Sequence, residues 1–439
     1  MRLRLPHPFI LLLGGVAIAA ALTWILPAGA YQRRTDPGTG REVVIAGTYA
    51  TVPATPVGPL AAVLAVPRGM VAGAEVIVVV LLVGGAFAFL DATGALARLV
   101  GALVGHTARP RLVVVAMCIV FALLGALENM QEEIIALIPV LVVLSRGLGF
   151  GAVTALGMSV GAAAVGSAFG PTNPFQTGIA LRIAGLPAMS HPALRFGLFF
   201  VALAVWIAWT LASTGRDDVR HDVTAPATAP ATARDYLLLS LVVLPFVPYV
   251  YGVVQYDWGF NELSAVFLVV GLSIGVVQGM DLSASAAGFL QGMNTMLASA
   301  MFIGVARAIS VVFTDGHIID TIVYGLAAPL ARFPGTGAAL LMIPAHALMH
   351  IPVSSVSGQA VLTMPIMAPL ADLLGVRRDA AVIAYQTGAG LMDIITPTSG
   401  AVLAVLLGAR VGYGRWIRFA LPGVLLVAVV GVVGVVLAA

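Results

Sequence analysis

The stretch "GSAFGPTNPFQTGIA", residues 166–180, places the tetrapeptide "GPTN", residues 170–173, inside a strongly apolar part of the chain. Proline removes a backbone N–H donor and disrupts a helix interior, and small polar residues are common at helix ends. In hydrocarbon, each unpaired backbone group costs several kcal/mol unless it faces protein or a water-filled cavity. If this region crosses a membrane, the tetrapeptide predicts a broken helix that faces a binding site.

The composition of the chain is that of a polytopic membrane protein. Of its 439 residues, 60% are hydrophobic and 9% are charged, whereas soluble domains have roughly 25% charged residues. The mean hydropathy is +1.05, and apolar runs long enough to cross about 30 Å of hydrocarbon recur throughout. The net charge of +3 comes from dispersed arginines without a basic face, which argues against nucleic-acid binding. Cys118 is the only cysteine, so an internal disulfide or a CxxC site is excluded.

Seven apolar segments are plain transmembrane helices, and polar segments between them mark loops. Residues 1–30 are expected to form a retained first transmembrane helix, because their apolar run is too long for a typical signal peptide. Residues 31–72 are predicted to form an extracytoplasmic loop, 214–234 a cytoplasmic linker and 235–255 a connecting helix. The plain spans lie near residues 8–27, 73–92, 195–213, 235–255, 260–279, 290–313 and 416–438.

Two longer apolar regions do not fit single crossings. Residues 112–144 and 338–371 would each extend roughly 50 Å as one helix, which exceeds the thickness of the hydrocarbon. The polar groups "ENMQEE" and "HIPVSSVSGQ" interrupt them. We therefore predict two re-entrant hairpins with polar tips at mid-depth. These hairpins span residues 112–146 and 335–372.

The two halves of the chain repeat one another at a separation of 226 residues. In this register Pro139 matches Pro365, the two hairpin tips align, and "GPTN" matches "TPTS", residues 396–399. The distribution of arginines favours opposite orientations for the two hairpins, and inverted repeats are typical of secondary transporters. The expected all-α fold has about nine spans plus the hairpins. The repeats cover 73–213, with a broken helix over 151–180, and 256–439, with a broken helix over 379–409.

Broken helices would offer ion-binding groups near the bilayer midplane. The amino-terminal end of a half-helix presents N–H groups and a partial positive charge that suit a carboxylate. The carboxyl-terminal end presents carbonyl oxygens that suit sodium. The ATP-binding signature GxxxxGK[ST] does not occur, so a gradient or an exchange is expected to supply the driving force. The pattern favours a secondary active transporter of a small anionic or zwitterionic solute that moves with a cation.

Three stretches carry a resemblance to a known family: "GSAFGPTNPFQTGIA", "IPVSSVSGQAVLTMPIMAPLADLLG" and "YQTGAGLMDIITPTSGAVL". They are similar to the YfcC-type branch of the C4-dicarboxylate anaerobic carrier-like (DcuC-like) proteins, in the ion transporter superfamily. The resemblance implies a homodimer in which each protomer combines a scaffold with a mobile transport unit that works by an elevator-type motion. It implies dicarboxylates or basic amino acids as substrates. We expect a multi-pass protein of the bacterial inner membrane with a cytoplasmic amino terminus.

The candidate site residues are polar groups at the two tips and the two breaks. Carboxylates inside a membrane are expensive to bury and usually functional, which points to the glutamates of "ENMQEE"; a solvated loop is the alternative. Asp393 precedes the second break, where it is expected to bind a cation or to hold the helix end by hydrogen bonds. Helix capping is the alternative role for the hydroxyl and amide residues. The candidate substrate ligands are Asn129, Thr172, Asn173, Ser354, Ser355, Ser357, Thr398 and Ser399, and the candidates for cation or proton coupling are Glu128, Glu132, Glu133 and Asp393.

Three further side chains are polar in apolar surroundings. His346 and His350 stand four residues apart in "HALMH", but the glutamate of HExxH is missing and no third ligand stands out, so no metal site is predicted. His350 is expected to line the cavity or to handle a proton. Arg307 is expected to snorkel or to form an ion pair, with contact to the substrate as the alternative.

Two other classes of function compete with a transporter. The polar breaks would equally suit a channel, and His346 and His350 with Glu132 would suit an intramembrane hydrolase. The hydrolase is disfavoured because HExxH does not occur, because no nucleophile with an evident base stands out, and because catalysis does not require duplicated breaks. We therefore predict a transporter that is not an enzyme and needs no cofactor, with Na⁺ or H⁺ as the coupling ion. The expected partners are a small-molecule substrate, the lipid bilayer and a second copy of the chain.

Overall fold

The computed structural model describes residues 8–36, 42–106, 109–214, 230–256, 258–333 and 335–439. Most of these residues are helical, and the strands form only two short pairs. Within the described ranges, seven helices are long and apolar enough to cross a membrane. They are Ala74–Ala92, Pro110–Leu127, Ala152–Ile183, Pro192–Ser213, Phe260–Val277, Leu282–Asp315 and Tyr413–Ala438. The prediction of a mostly helical, multi-pass protein is confirmed, whereas the count of nine spans and the re-entrant course of the hairpins stay predictions.

The first helix, α1 (Pro8–Ile25), corresponds to the predicted first span. The strands that follow are β1 (Gly29–Ala30), β2 (Arg33–Thr35), β3 (Glu42–Val44) and β4 (Ala50–Thr51); β1 pairs with β4 and β2 with β3, both antiparallel. The predicted loop over 31–72 does not hold to its end, because its last part forms α2 (Pro59–Ala72). Pro59 occupies the first turn of α2, where its fixed φ favours a helix, and an apolar run follows. Helix α3 (Ala74–Ala92) begins directly after Gly73.

Three helices surround the first polar tip: α4 (Ala95–His106), α5 (Pro110–Glu128) and α6 (Ile134–Gly147). Helix α5 ends because Asn129 adopts a left-handed backbone conformation with φ of 56°, which asparagine tolerates better than most residues. Residues 128–133, called tip 1 below, therefore join two helices, as the sequence predicts.

The first predicted break is present. Helices α7 (Ala152–Leu156) and α8 (Ala162–Phe169) form one continuous helix through a π-helical turn. The backbone becomes extended at Gly170, with ψ of 114°, and a second π-helical turn leads into α9 (Ile179–Ile183). Residues 170–173, called break 1 below, thus interrupt the helix where "GPTN" predicts it.

Five helices follow α9 along the chain. They are α10 (Pro192–Ser213), α11 (Ala233–Val243), α12 (Phe246–Tyr256), α13 (Phe260–Val277) and α14 (Leu282–Asp315). The predicted connecting helix over 235–255 is instead two helices, because Pro245 has no N–H to donate and disfavours helix at the preceding residue. Helix α14 has 34 residues and begins before the predicted span at 290. The predicted linker falls largely on residues 215–229, outside the described residues.

The second half repeats the plan of the first. After α13 and α14, its helices are α15 (Ile319–Ala327), α16 (Gly335–Met349), α17 (Val356–Leu373), α18 (Arg378–Tyr385), α19 (Gly400–Gly408) and α20 (Tyr413–Ala438). Residues 350–355, called tip 2, join α16 to α17, and residues 393–399, called break 2, precede α19. Ser399 caps α19 as Asn173 caps the helical turn after break 1. These two caps stand 226 positions apart, so the register of the repeat holds at both breaks.

The helices pack in two groups. In the first, called the α14 group, the long helix α14 contacts α1, α2, α3 and α13. In the second, called the broken-helix group, α5 packs on α8, α10 packs on α20, and α16 and α17 pack on α18. Helix α6, which packs on α7, and helix α19, which packs on α6 and α20, also belong to the broken-helix group. Contacts of α3 with α6 and of α14 with α19 join the two groups. Break 2 therefore leads directly into a helix that lies against α14.

Candidate functional site

A cavity of about 1430 Å³ lies between the two groups of helices. On one side it is lined by Glu75 of α3 and by Arg307 of α14. On the other side it is lined by residues of both tips and both breaks. The four polar segments that the sequence singles out thus meet at one place, opposite an arginine.

The cavity brings together ten of the twelve predicted site residues. These are Asn129, Glu132, Glu133, Thr172, Asn173, Ser354, Ser355, Ser357, Asp393 and Ser399. Thr398 does not line the cavity; its Oγ1 donates to the carbonyl oxygen of Ile351, 2.7 Å away, and so joins break 2 to tip 2. Thr398 thus has a structural contact, and its role as a substrate ligand stays a prediction. The side chain of Glu128 lies outside the described residues.

Asn173 organises break 1 from a fully buried position. Its Oδ1 accepts hydrogen bonds from the backbone N–H groups of Phe175 (3.0 Å) and Gln176 (2.7 Å). Its Nδ2 donates to the carbonyl oxygen of Gly125 on α5 (2.8 Å). Because these polar atoms already have protein partners, Asn173 shapes the cavity wall more than it offers free groups to a solute.

Break 2 exposes fewer bare carbonyl groups than the sequence predicts. The carbonyl oxygen of Ile394 accepts a hydrogen bond from Nε1 of Trp416 (2.8 Å), and that of Ile395 accepts one from the hydroxyl of Tyr413 (2.5 Å). Both donors come from α20, which satisfies groups that would be costly to leave unpaired. These two carbonyl oxygens therefore already have protein partners, and the binding of sodium at this break stays a prediction.

The amino-terminal end of α19 keeps hydrogen-bond donors toward the cavity. Ser399 accepts from the N–H of Val402 (3.3 Å), but the N–H groups of Gly400 and Ala401 have no acceptor among the described residues. Both residues line the cavity. A Cβ on Gly400 would stand 2.7 Å from the Cα of Ile303, so glycine lets this end of α19 lie directly against α14. Two donors and a partial positive charge here suit an anion.

Acidic residues outnumber basic residues in the lining of the cavity by two. Four carboxylates and two guanidinium groups line it: Glu75, Glu132, Glu133 and Asp393, with Arg182 and Arg307. The charge of Glu132 interacts with those of Arg307 and Asp393. In the part of the chain that the structure describes, the side chains of Arg307 and Glu132 form no hydrogen bond and no direct ion pair. These two side chains therefore hold hydrogen-bonding capacity for a bound solute.

Arg307 is the functional residue that sequence reasoning ranked too low. The sequence favoured snorkelling or an ion pair, whereas the side chain lines the cavity. Its stem packs against the α2–α3 junction, where a Cβ on Gly73 would lie 3.4 Å from the Cγ of Arg307. An arginine inside a long apolar helix was the signal that could have found it.

His350 is fully buried and connects tip 2 to break 2. Its Nε2 lies 3.3 Å from Oδ1 of Asp393, and its Nδ1 lies 3.0 Å from Oε1 of Gln359. One expectation for His350 was that it lines the cavity, and it does not. Its partner Asp393 does line the cavity. The expectation that His350 handles a proton stays open on this geometry.

Replacing Asn173 by alanine is expected to lower thermal stability and to slow transport without preventing membrane insertion. The change removes a helix cap, which contributes about 0.5–2 kcal/mol, and it removes the donor to the Gly125 carbonyl. The measurement is Tm in detergent together with solute exchange in proteoliposomes. Ser357→Ala is the control for Tm, since the Ser357 hydroxyl has no partner among the described residues. Equal Tm values for the two variants would contradict the capping role.

A mostly helical chain with several apolar spans and a charged cavity at the centre of the fold has the features of a multi-pass membrane transport protein. The sequence comparison then identifies the family. A profile of the C4-dicarboxylate anaerobic carrier family, DcuC, matches residues 5–439, and the chain belongs to that family. The family resemblance drawn from the three sequence stretches is therefore confirmed.

Similar proteins occur in several bacteria. The chain is 30% identical over 369 residues to "Putative basic amino acid antiporter YfcC" of Escherichia coli K12, covering 78% of this chain and 73% of that protein. It is 26% identical over 476 residues to an uncharacterized protein of Haemophilus influenzae, covering 95% and 93%. The YdaH transporter of Alcanivorax borkumensis aligns over 98% of both chains, at 18% identity and a TM-score of 0.44. MtrF of Neisseria gonorrhoeae aligns over 99% of this chain and 95% of its own chain, at 17% identity and a TM-score of 0.42.

Proposed function

We propose that this protein is a secondary active transporter that binds a small carboxylate-bearing solute in the cavity between the two helix groups. The observation that carries the proposal is the lining of that cavity, which combines both tips, both breaks and Arg307. A solute held there touches both groups at once. A movement of the broken-helix group along the α14 group would therefore carry it across the membrane, as in an elevator-type mechanism.

The carboxylate of the solute is placed beside Arg307. Arginine binds carboxylates with two parallel charge-assisted hydrogen bonds. The free N–H groups of Gly400 and Ala401 lie at the same wall, because Gly400 packs on Ile303 and Arg307 follows one turn later on α14. Guanidinium and helix terminus together supply a positive end to the cavity.

The carboxylates that line the cavity favour a positive charge on the solute. A dianion would bring two negative charges near Glu132 and Asp393, and like charges repel strongly where water is scarce. A basic amino acid instead places its carboxylate at Arg307 and its cationic groups near Glu132. The printed name of the Escherichia coli relative YfcC refers to the same class of solute. We therefore propose basic amino acids such as arginine and lysine ahead of C4-dicarboxylates.

The remaining features of the proposal follow the sequence predictions. The driving force is a gradient of H⁺ or Na⁺ or the exchange of one solute for another. The protein is a homodimer in the bacterial inner membrane, with its amino terminus in the cytoplasm. A channel is the second candidate, since the same polar segments would suit a pore.

Exchange in proteoliposomes tests the substrate. With unlabelled arginine inside, we expect labelled arginine to enter by exchange and labelled succinate to enter far more slowly. Glu132→Gln is expected to raise the KM for arginine roughly 10-fold or more, since a hydrogen bond to a charged group contributes about 1.5–3 kcal/mol. The matched control, Glu42→Gln, changes an exposed glutamate of β3 outside the cavity and should leave KM unchanged.

Three results would count against the proposal. Exchange of succinate without arginine would contradict the basic amino acid. No exchange of either solute by folded protein would contradict a carrier for both classes. Single-channel currents far above the turnover of a carrier would favour the channel.

A further inference from the structure

We propose that His350 and Asp393 together hold the coupling proton, which leaves for the cavity when a cationic solute binds. This inference rests on the proposed function, because it names the ion that exchanges with the solute. The geometry that carries it is a buried chain of three side chains, Gln359, His350 and Asp393, whose last member faces the cavity.

Gln359 determines which nitrogen of His350 carries a proton. Its Nε2 donates to the backbone carbonyl oxygen of His346, 2.8 Å away. A carbonyl only accepts, so the amide nitrogen of Gln359 must point there and Oε1 must point to His350. An amide oxygen also only accepts, so Nδ1 of His350, 3.0 Å from it, must be the donor.

The opposite nitrogen then faces a carboxylate. In a neutral imidazole with its proton on Nδ1, Nε2 is a bare acceptor. It lies 3.3 Å from Oδ1 of Asp393, which is an acceptor too when ionised. The contact is a hydrogen bond only if one more proton is present, either on Nε2 of His350 or on the Asp393 carboxyl. The pair therefore binds one proton that Gln359 cannot supply.

Other charged and titratable groups surround this pair. The Glu132 carboxylate on tip 1 interacts with Asp393 and with Arg307 on α14. His346 lies one turn before His350, and its ring packs edge-on against Tyr385 of α18, 5.4 Å between centroids. Tyr413 of α20 donates its hydroxyl to the carbonyl of Ile395 and is therefore occupied. Among the described residues, these contacts place the charged or titratable groups Glu132, Arg307, His346 and Tyr413 around the pair, and Tyr385 lies behind His346.

The position of Asp393 makes proton and solute compete. Its side chain is 16% exposed and faces the cavity, whereas His350 is fully buried. A guanidinium or ammonium group placed beside Glu132 and Asp393 would stabilise both carboxylates in their ionised form and favour loss of the shared proton. The proton passes to cavity water as the cation arrives, so charge is conserved. One proton then leaves for each cation bound, which is the condition for antiport.

Proton release on binding tests the inference. Purified protein in weakly buffered detergent solution is mixed with arginine, the pH change is read with an indicator dye, and arginine binding is measured by calorimetry. Near neutral pH we expect wild-type protein to release up to about one proton for each arginine bound, as linkage requires when binding shifts a titrating group. His350→Gln is expected to bind arginine and release few or no protons. His317→Gln, a histidine outside the cavity, should behave as wild type.

A second variant tests the same pair in case His350→Gln does not fold. In Asp393→Asn, the amide can donate to a bare Nε2, so the contact persists without an extra proton, and release should again be lost. Undiminished release by folded His350→Gln would overturn the inference while leaving the proposed function intact. If wild-type protein binds no arginine, the proposed substrate fails. Infrared difference spectra between acid and alkaline pH then decide the proton pair, and identical spectra for wild type and both variants would overturn it.

Discussion

Replacing Arg307 by glutamine is expected to abolish measurable uptake of the solute while leaving the protein folded. Arg307 is the cavity arginine that α14 contributes, and it lies beside the amino-terminal end of α19. Loss of a charged hydrogen-bonding partner weakens binding by about 1.5–3 kcal/mol, or roughly 10- to 150-fold. The glutamine also removes the positive charge of Arg307 that interacts with Glu132, which adds to the repulsion of a carboxylate. The measurement is labelled-arginine exchange in proteoliposomes.

Two further variants sharpen this test. Arg307→Lys keeps the charge but not the planar pair of donors, so it should retain part of the activity. Arg34→Gln removes an exposed arginine of β2 and should change nothing. Wild-type KM and maximal rate in Arg307→Gln would remove Arg307 from the site and would leave the α19 terminus and Arg182 as the candidate anion-binding groups.

Replacing Gly166 by leucine is expected to prevent the stable packing of the broken-helix group. Helices α5 and α8 cross at a point where a Cβ on Gly166 would collide with the carbonyl oxygen of Ala122, and a Cβ on Gly125 with that of Ala163. Membrane helices associate through such close contacts between small residues, because lipid is as apolar as the helices and the hydrophobic effect does not drive them together. Overpacking a well-packed site lowers the free energy of unfolding by about 1–3 kcal/mol. The effect is larger here because a backbone carbonyl can move aside less than a side chain can.

The consequence of this variant reaches the cavity. Asn173 donates to the carbonyl of Gly125, so a separation of α5 from α8 also pulls break 1 from its anchor. We expect a low yield of monodisperse protein and a Tm well below that of the wild type. Gly197→Leu is the matched control, because a Cβ on Gly197 meets nothing within 4 Å. Similar size-exclusion profiles and Tm values for both leucine variants would show that the crossing is not close enough to matter.

Local chemistry explains why the breaks and tips were predictable. Pro171 lacks a donor, Asn129 adopts a left-handed conformation and Asn173 caps a helix, and each effect depends only on a residue and its neighbours. The same reasoning predicts one polar tip and one polar break among the apolar helices of each half. Prediction failed where a single proline outweighed a long apolar run, as at Pro245, or where an apolar helix was short, as in α2.

The partners of these local features were not predictable from the sequence. In a soluble protein the apolar face of a helix points inward, but membrane helices are apolar on all sides because lipid and protein interior are alike. Periodicity therefore does not tell which helices meet. The donation of Trp416 to the Ile394 carbonyl and the placing of Gly400 on Ile303 depend on such meetings.

The sequence by itself determined a helical membrane protein with two polar tips and two breaks in a 226-residue register, because these depend on composition, backbone donors and spacing. Only the tertiary structure decided that Arg307 opposes the glutamates of tip 1, that α20 occupies the carbonyls of break 2, and that His350 faces Asp393. The physical reason is that charge and hydrogen-bonding capacity are properties of single residues, whereas a binding site requires those residues to meet across helices that the lipid cannot distinguish.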